Sequence, residues 1–300
     1  LIMTLRSRRR KFAADSTLLW YSKMLVRLTA QVGWKPLDAL HVEDTWKYLE
    51  GIQAEERAQR IQRETTRDLI RAAKTFLYWA IRTYHLDPTL VNDLHMPKPL
   101  KLPPKAVEMW CLKRVLDSQS YSDVGLRNRA ILYFLLGTGC RSGGLIRLKP
   151  DEVDLLRRVA VVTEKGSKTR PVGFGRTTAK WLGAWLVRRP KGAHTVFCSL
   201  RTRDRLAPLT GSGLTLIFRK MCQRARLPEE YWFSPHDLRH TFATTFTRMR
   251  GPAAILQVQL GHEDFRTTQR YLDVDPATLS QTVNVFDPVR ELDKLYEQEK

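Results

Sequence analysis

Apolar residues recur at helical spacing through the first ninety residues of the chain. A first amphipathic stripe, which ends near Gly33, consists of Leu18, Tyr21, Met24, Leu25 and Leu28. A short helix is predicted around Trp46, and a long helical pattern runs from about Ala54 to Tyr84, basic at its start and apolar towards its end. This part of the chain is therefore predicted to be a small all-helical unit.

A proline-rich segment follows this helical region. Residues 95–105, HMPKPLKLPPK, contain four prolines and three lysines, a composition typical of a semi-rigid basic linker. Beyond it, helices are predicted at 107–116 and 124–136, and the second is almost entirely apolar from Ala130 onwards. We therefore place a domain boundary at the linker and expect the second helix to lie at the centre of the following domain.

The pattern then changes from helical spacing to alternation. Val159 to Thr163 and Thr169 to Phe174 read as two strands joined by a hairpin with Gly166 in its turn. Further elements are predicted as helices at 176–188 and 212–226, a strand at Val196–Phe197, and a terminal helix carrying Val289, Leu292 and Tyr296. The expected fold class is mainly α with a small β-hairpin or sheet, that is, α+β.

The net charge of the chain indicates what kind of partner it binds. The chain has 51 Lys and Arg against 31 Asp and Glu, a formal net charge of +20, and a pI near 10.1. Such an excess indicates a polyanionic partner, nucleic acid before membrane. No apolar run is long enough to cross a bilayer, so a cytoplasmic, nucleoid-associated protein with no membrane partner is expected. The four cysteines form no C-x-x-C pair, so no zinc site is expected either.

Candidate chemistry begins at SPHDLRHTFAT. Ser234, Pro235 and Asp237 form the start of a helix, with Asp237 at the third position of a capping box. His236 and Arg239 then lie three residues apart in or near the first turn, where unpaired backbone N–H groups and the helix dipole favour an anion. This combination would suit a phosphate.

A second motif, LGHEDFRTTQRYL, follows a short apolar helix predicted from Pro252 to Leu260. Gly261 is the residue expected just past the end of that helix. His262 lies in the turn, and Asp264 can cap a third helix that carries Tyr271 two turns further on. The pattern therefore holds a phenol on regular structure, with a histidine at the start of that structure.

Taken alone, each motif is weak, since a histidine near a helix start is more often solvated and a tyrosine near an apolar face more often packs. In combination and order, however, SPHDLRHTFAT and LGHEDFRTTQRYL resemble the C-terminal signature of the tyrosine recombinase (phage integrase, Xer-like) family. There, H-x-x-R is followed by L-G-H and by a nucleophilic tyrosine nine residues after that histidine. His262 and Tyr271 have this spacing.

Two upstream segments extend the resemblance. GTGCRSGGLIRL, with Arg141 directly after a glycine turn, is similar to the first arginine box of the family, and VVTEKGSKTRPV, with Lys165 at the hairpin tip, to its lysine hairpin. One difference is clear: the family usually has a small residue and then an acid where this chain has Gly143 and Gly144. Arg141 is thus expected to lack its usual local carboxylate partner.

The resemblance implies a domain organisation. Residues 1–94 would form a helical, SAM-like core-binding domain that contacts DNA, residues 95–105 the linker, and residues 106–286 the catalytic domain, together a C-shaped clamp around the duplex. Residues 287–300 would form a C-terminal helix, and our hypothesis is that it is exchanged in trans; the alternative is that it folds back onto its own domain. The implied partners are double-stranded DNA with specific inverted half-sites and a homo-tetramer assembled on it.

The chemistry expected of these residues is phosphoryl transfer. Arg141 and Arg239 can grip the non-bridging oxygens and neutralise charge that accumulates in the transition state, so neither metal nor cofactor is expected. Tyr271 is the natural nucleophile, and since a phenol has a pKa near ~10 it needs a base or a strongly cationic site to ionise; His236 is the candidate to accept its proton.

The family resemblance supplies the remaining roles. Lys165 would donate a proton to the departing 5′ oxygen, and His262 would hydrogen-bond the phosphate in the transition state. The implied activity is site-specific DNA recombination through a 3′-phosphotyrosyl intermediate, in integration, excision or resolution. Two alternatives remain open at this point: a type IB topoisomerase-like enzyme with the same chemistry, and a catalytically weakened DNA-binding or architectural protein, which the Gly143-Gly144 difference would favour.

Overall fold

The computed structural model of the chain describes residues 15–33, 35–100, 106–164, 168–201, 205–261 and 276–298. The chain divides into two compact units, residues 1–103 and residues 104–300. The fold class predicted from the sequence is confirmed: the described residues are mainly helical, with one three-stranded antiparallel sheet. Within the described ranges, no helix combines the length and the apolar character needed to span a membrane.

In the described residues of the first unit the α-helices are α1 (Asp15–Val32), α2 (Val42–Arg57) and α3 (Arg63–Tyr84). Their apolar faces bury a core that includes Leu25, Tyr48, Ile52, Leu69, Ile70 and Phe76. The prediction of a single long helix from Ala54 to Tyr84 is wrong. The chain turns between α2 and α3, where Gln59 adopts a left-handed φ of 55°. The polar stretch there has little to bury, so nothing holds one continuous helix together.

The second unit begins with α4 (Met109–Asp117), α5 (Asp123–Thr138) and the short α6 (Ser142–Arg147). As predicted, α5 is central: every residue from Ala130 to Thr138 is buried. It packs against α7 (Arg176–Arg188), whose Trp185 is fully buried in the same core. The buried helix therefore fixes where its C-terminal end, and the glycine turn after it, lie.

The sheet consists of β1 (Val153–Asp154), β2 (Val159–Thr163) and β3 (Thr169–Gly173), in that order. The predicted hairpin is confirmed, with Val159 paired to Gly173 and Thr163 to Thr169. The predicted strand at Val196–Phe197 is wrong. These side chains are buried, but the Val196 N–H donates to the Leu148 carbonyl oxygen at 2.7 Å, and the nearby strand-like pairing is one bridge between Cys198 and Pro208.

The described residues also form the α-helices α8 (Gly211–Arg224), α9 (Pro235–Arg248), α10 (Ala253–Leu260), α11 (Pro276–Val285) and α12 (Val289–Glu297). Leu238, Phe242 and Phe246 of α9 are fully buried. The sequence pattern did not predict α11, which packs on β3 and, through Leu279 and Val283, on the α9–α10 pair. The helix predicted after Asp264 lies outside the described residues.

Candidate active site

The first turn of α9 is fixed by its cap. The Ser234 N–H donates to Asp237 Oδ2 at 2.7 Å, and the Ser234 hydroxyl contacts the same oxygen at 2.8 Å. Pro235 occupies the first helical position, where its missing N–H costs nothing. This capping box sets the rotation of the helix, so that Arg239 is buried while His236 is exposed.

Arg239 is held by the ends of two other helices. Its Nη1 donates to the carbonyl oxygen of Gly139, just past α5, at 2.8 Å, and its Nη2 to that of Leu260, the last residue of α10, at 2.7 Å. Carbonyls at helix C-termini carry the negative end of the helix dipole and stabilise a cation. Burial, followed by repulsion from Arg141 and Arg170, lowers the pKa of Arg239 to about 10, so it stays charged at neutral pH.

The glycine turn after α5 places Arg141. Gly139 has a left-handed φ of 61°, and a Cβ there would lie 2.7 Å from the Phe242 ring, so glycine is required. Arg141 then occupies the N-cap position of α6, and 44% of its side chain is exposed. Its Nη2 lies 3.4 Å from the Gly261 carbonyl oxygen, at the limit of a hydrogen bond. Arg141 and Arg239 thus approach consecutive carbonyls at the end of α10.

A carboxylate that the sequence analysis did not identify completes this cluster. Glu164, directly after β2, accepts hydrogen bonds from Arg141 Nη1 and, at 2.8 Å, from Arg170 Nη2. Its side chain is only 8% exposed. As expected, Arg141 has no local carboxylate partner, because position 144 is a glycine. Glu164, twenty-three positions away in the chain, supplies a carboxylate that the sequence analysis did not anticipate.

Behind these residues lies a buried polar framework. Arg170, on β3, donates from Nη1 to the Gln259 carbonyl oxygen, and burial lowers its pKa to about 10. The Gln259 side chain donates to the carbonyl oxygens of Thr138 at 3.0 Å and Gly173 at 2.8 Å, and accepts from the Gly173 N–H at 3.0 Å. Gln259 therefore ties α10 to α5 and to β3, which fixes the carbonyls that orient the two arginines.

Sequence reasoning missed Glu164, Arg170 and Gln259 for a common reason. Each acts through tertiary contacts with residues far away in the chain, which local periodicity does not report. One signal was present, since an acid directly precedes the hairpin lysine in a chain that lacks the acid after Arg141.

His236 lies on the exposed side of the same helix turn. Burial, then the neighbouring His240 and the cations Arg239 and Arg141, lower its pKa, although Asp237 acts in the opposite direction. The rings of His236 and His240 are 4.5 Å apart, edge to face. The lowered pKa favours the neutral form of His236, which is the form that can accept a proton.

The structure brings together three of the six predicted site residues, Arg141, His236 and Arg239. Lys165, His262 and Tyr271 lie outside the described residues. Their chain neighbours are described: Glu164 precedes Lys165, and Gly261 precedes His262. The described part of the site is a centre of two guanidinium groups anchored on helix-end carbonyls, with donors suited to the oxygens of a phosphate diester.

Comparison with known proteins agrees with this chemistry. Residues 111–278 match the phage integrase family. The chain is 28% identical over 279 residues to tyrosine recombinase XerC of Alcanivorax borkumensis, covering 91% of this chain and 88% of that protein. It is 32% identical over 219 residues to tyrosine recombinase XerC of Mycobacterium sp. strain KMS, covering 69% of this chain and 71% of that protein.

The family match and the similarity to tyrosine recombinases place the chain among DNA strand-transfer enzymes of the tyrosine type. The chain belongs to the phage integrase family and is a site-specific tyrosine recombinase. Solved structures share its fold. An integrase of transposon Tn1549, in complex with circular intermediate DNA, aligns with a TM-score of 0.66 at 18% identity, covering 90% of this chain and 94% of that one. A lambda integrase dimer bound to a COC′ core site also aligns at 0.66, with 15% identity and coverage of 92% and 99%.

Proposed function

We propose that this chain cleaves and rejoins double-stranded DNA at specific inverted half-sites through a 3′-phosphotyrosyl intermediate. The observation that carries the proposal is the placement of Arg141 and Arg239 on consecutive carbonyls at the end of α10. Two arginines placed side by side in this way can bind the non-bridging oxygens of one phosphate, and donors that are already in place act without reorganisation when charge develops. His262 directly follows these carbonyls in the chain.

In the proposed reaction, the Tyr271 oxygen attacks the phosphorus atom and the bond to the 5′ oxygen breaks. His236, whose surroundings lower its pKa and so favour the neutral imidazole, accepts the phenolic proton. Lys165 gives a proton to the departing 5′ oxygen, and His262 donates a hydrogen bond to the phosphate. Arg141 and Arg239 neutralise the five-coordinate phosphorane. The phosphotyrosyl bond conserves the energy of the broken linkage, so rejoining to another strand needs no ATP.

The proposed organisation assigns a role to each part of the chain. Residues 1–94 form the core-binding domain, residues 95–105 a basic linker, and residues 106–286 the catalytic domain, and together they act as a clamp on the duplex. The net charge of +20 supports a polyanionic partner such as a DNA duplex. We further propose a homo-tetramer on two full sites, with residues 287–300 exchanged between protomers, acting at the nucleoid in the cytoplasm.

The test uses a site selected by the protein itself. Half-sites are recovered from a random duplex library, built into an inverted pair, and nicked near the predicted scissile phosphate so that the cleaved fragment diffuses away. A covalent protein–DNA adduct is expected with EDTA present, and a plasmid carrying two sites should recombine. Absence of an adduct would contradict the proposal. An adduct together with relaxation of plasmids, but without exchange between sites, would indicate a type IB topoisomerase.

A further inference from the structure

The helix α6 has a glycine, Gly144, at the position where the family motif leads one to expect an acid. Arg141 caps this helix, and Gly143 and Gly144 follow within its first turn. Gly144 is buried and lies against the sheet: a Cβ built on it would lie 3.3 Å from Val162 Cβ and 3.8 Å from Glu164 Cγ. A side chain at position 144 would therefore crowd Val162 and lie in van der Waals contact with the stem of Glu164, so that positions 144 and 164 line the same space.

The carboxylate of Glu164 reaches Arg141 from this position. One oxygen, Oε2, accepts from Arg141 Nη1, and the other, Oε1, accepts from Arg170 Nη2 at 2.8 Å. We propose that Glu164 is a positioning residue for Arg141, and that it replaces, from the end of β2, the carboxylate that is absent at Gly144. This inference rests on the proposed function, in which Arg141 binds the scissile phosphate.

Arg170 keeps the site cationic even though Glu164 is paired with Arg141. A carboxylate that paired with Arg141 alone would cancel the charge needed for a phosphate. Because Arg170 is paired with the same carboxylate, the group of three keeps a net charge of +1. Arg170 is itself anchored on the Gln259 carbonyl oxygen and is only 13% exposed. The trio therefore orients Arg141 and leaves the site cationic.

Exposure explains why Arg141 needs such a partner. Arg239 is buried and held by two carbonyls, whereas 44% of the Arg141 side chain is exposed and its contact with Gly261 is long, at 3.4 Å. A long, half-exposed side chain samples many rotamers unless a strong contact selects one. The ion pair with the nearly buried Glu164 selects the rotamer of Arg141 before DNA arrives.

The test compares Glu164→Ala and the isosteric Glu164→Gln on a nicked substrate in single-turnover cleavage. Half-site binding should stay within about 2-fold, while cleavage by Glu164→Ala should fall ~10- to 100-fold, the loss expected from a misplaced catalytic group. The same assay uses a scissile methylphosphonate, in which a methyl group replaces one non-bridging oxygen and removes a negative charge. Less negative charge then has to be neutralised in the transition state, so an arginine contributes less to cleavage. The losses of cleavage rate in Glu164→Ala and in Arg141→Ala should therefore both be smaller on this substrate.

A second-site variant tests the replacement directly. Gly144→Glu combined with Glu164→Ala returns the acid to α6 and should recover part of the cleavage lost in Glu164→Ala. Asp123→Asn is the matched control, because it removes a carboxylate from an exposed pair with Arg188, at 2.9 Å in the same unit, and should cleave like the wild type.

Three results separate the possibilities. Wild-type cleavage by Glu164→Ala and Glu164→Gln would overturn the positioning role. Equal deficits on the phosphate and methylphosphonate substrates would also overturn it, because a defect in folding or hairpin structure does not depend on the charge of the linkage. Failure of the wild type to form an adduct would instead contradict the proposed function. Because the wild type is assayed first, this outcome is distinguished from a failure of the positioning role.

Discussion

Arg239 Nη2 donates to the carbonyl oxygen of Leu260 at 2.7 Å, at the C-terminal end of α10. Among the residues that the structure describes, no carboxylate lies within ion-pair distance of this buried guanidinium. Its positive charge is therefore stabilised by helix-end carbonyls and is not cancelled. Such a cation attracts a phosphate more strongly than one paired with an acid.

The first prediction concerns the geometry of this contact. Arg239→Lys keeps the charge, but one ammonium group cannot reproduce the planar fork that bonds two carbonyls and still faces a phosphate. We expect single-turnover cleavage to fall by ~100-fold or more, as for loss of an oxyanion donor. The unfolding free energy should fall by about 1–3 kcal/mol, because the Gly139 or Leu260 carbonyl loses its partner.

Arg248→Lys is the control for this change. Arg248 is on the same helix, is 64% exposed and pairs with Glu291. An exposed pair contributes little to stability, so cleavage and unfolding should stay close to wild type. Equal effects of the two substitutions would show that the Arg239 contacts do not orient a catalytic group.

The second prediction concerns the nucleophile. Tyr271→Phe removes only the phenol oxygen, so the protein should bind its DNA site with unchanged affinity and form no covalent adduct on the nicked substrate. Tyr121→Phe, at a side chain that is 78% exposed, should form adduct normally. Electrophoresis of the denatured reaction measures both. An adduct formed by the Tyr271→Phe protein would mean that another residue attacks the phosphorus.

The third prediction concerns departure of the 5′ oxygen. Lys165→Ala should cleave normal DNA slowly because the leaving alkoxide lacks a proton donor. A bridging 5′ sulfur leaves as a thiolate and needs no proton, so the variant should recover much of its rate on that substrate. Lys168→Ala, at the other side of the same turn, is the matched control. Equal defects of Lys165→Ala on both substrates would exclude the acid role.

The sequence predicted the elements whose signal is local. The capping box of Ser234 and Asp237, the C-terminal Gly261 and the alternating hairpin all depend on neighbours within a few residues, and the structure has each of them. The buried stretch of α5 was predictable for the same reason, since an apolar run of that length leaves no polar face.

Other features depended on contacts that periodicity does not encode. Val196 is β-branched and Phe197 is aromatic, which favours a strand. Both side chains are instead buried in the core without strand pairing, and this burial explains why apolar residues occur there. The pairing of Glu164 with Arg141 joins residues that only the sheet and α6 bring together. The family motifs indicated which residues to examine at the site, but they did not indicate what orients those residues.

The fourth prediction concerns pH. Burial raises the pKa of Asp287 from its ordinary 3.8 to about 7, against the effect of the Val289 N–H, which donates to it at 3.0 Å. Between about pH 4 and 7 the folded protein keeps a proton that the unfolded chain has lost. Stability from this group is therefore complete below pH 4, is lost as pH rises towards 7, and then stays low.

Asp287→Asn removes the titration. From pH 5 to pH 8, the wild type should lose more unfolding free energy than the variant, by on the order of 1–3 kcal/mol. Urea unfolding at several pH values measures this difference. Asp123→Asn, at an exposed carboxylate, should keep the pH dependence of the wild type. Parallel curves for wild type and Asp287→Asn would show that the buried carboxyl does not titrate in this range.

The last prediction concerns the terminal helix. In the single chain, α12 packs on α4 and α5 of its own unit: Val289 and Leu292 are fully buried, and the Tyr296 hydroxyl donates to Asp117 Oδ1 at 2.8 Å. Exchange in trans would place the same contacts on the equivalent groove of a neighbouring protomer, and a cyclic exchange can close a ring of four. Deleting residues 287–300 would uncover the core, so cross-linking is the sharper test.

Two singly substituted proteins, Asp117→Cys and Tyr296→Cys, are mixed and treated with a short bismaleimide. The natural cysteines, Cys111, Cys140, Cys198 and Cys222, are all buried and should react little. A covalent dimer between the two proteins can form only if α12 of one protomer reaches the groove of another, and we expect it on DNA with two half-sites and not on a single half-site. Replacing Asp117→Cys by Leu156→Cys, at a side chain 93% exposed, should give no such dimer.

The doubly substituted protein reports the opposite arrangement. When α12 stays on its own unit, the reagent joins the two cysteines of one chain and produces a fast-migrating monomer. That product is expected without DNA and should give way to dimers and larger species on the full site. If the internally linked monomer persisted on full-site DNA and still exchanged strands, the helix would act as a local brace, and assembly of the tetramer would have to depend on other surfaces.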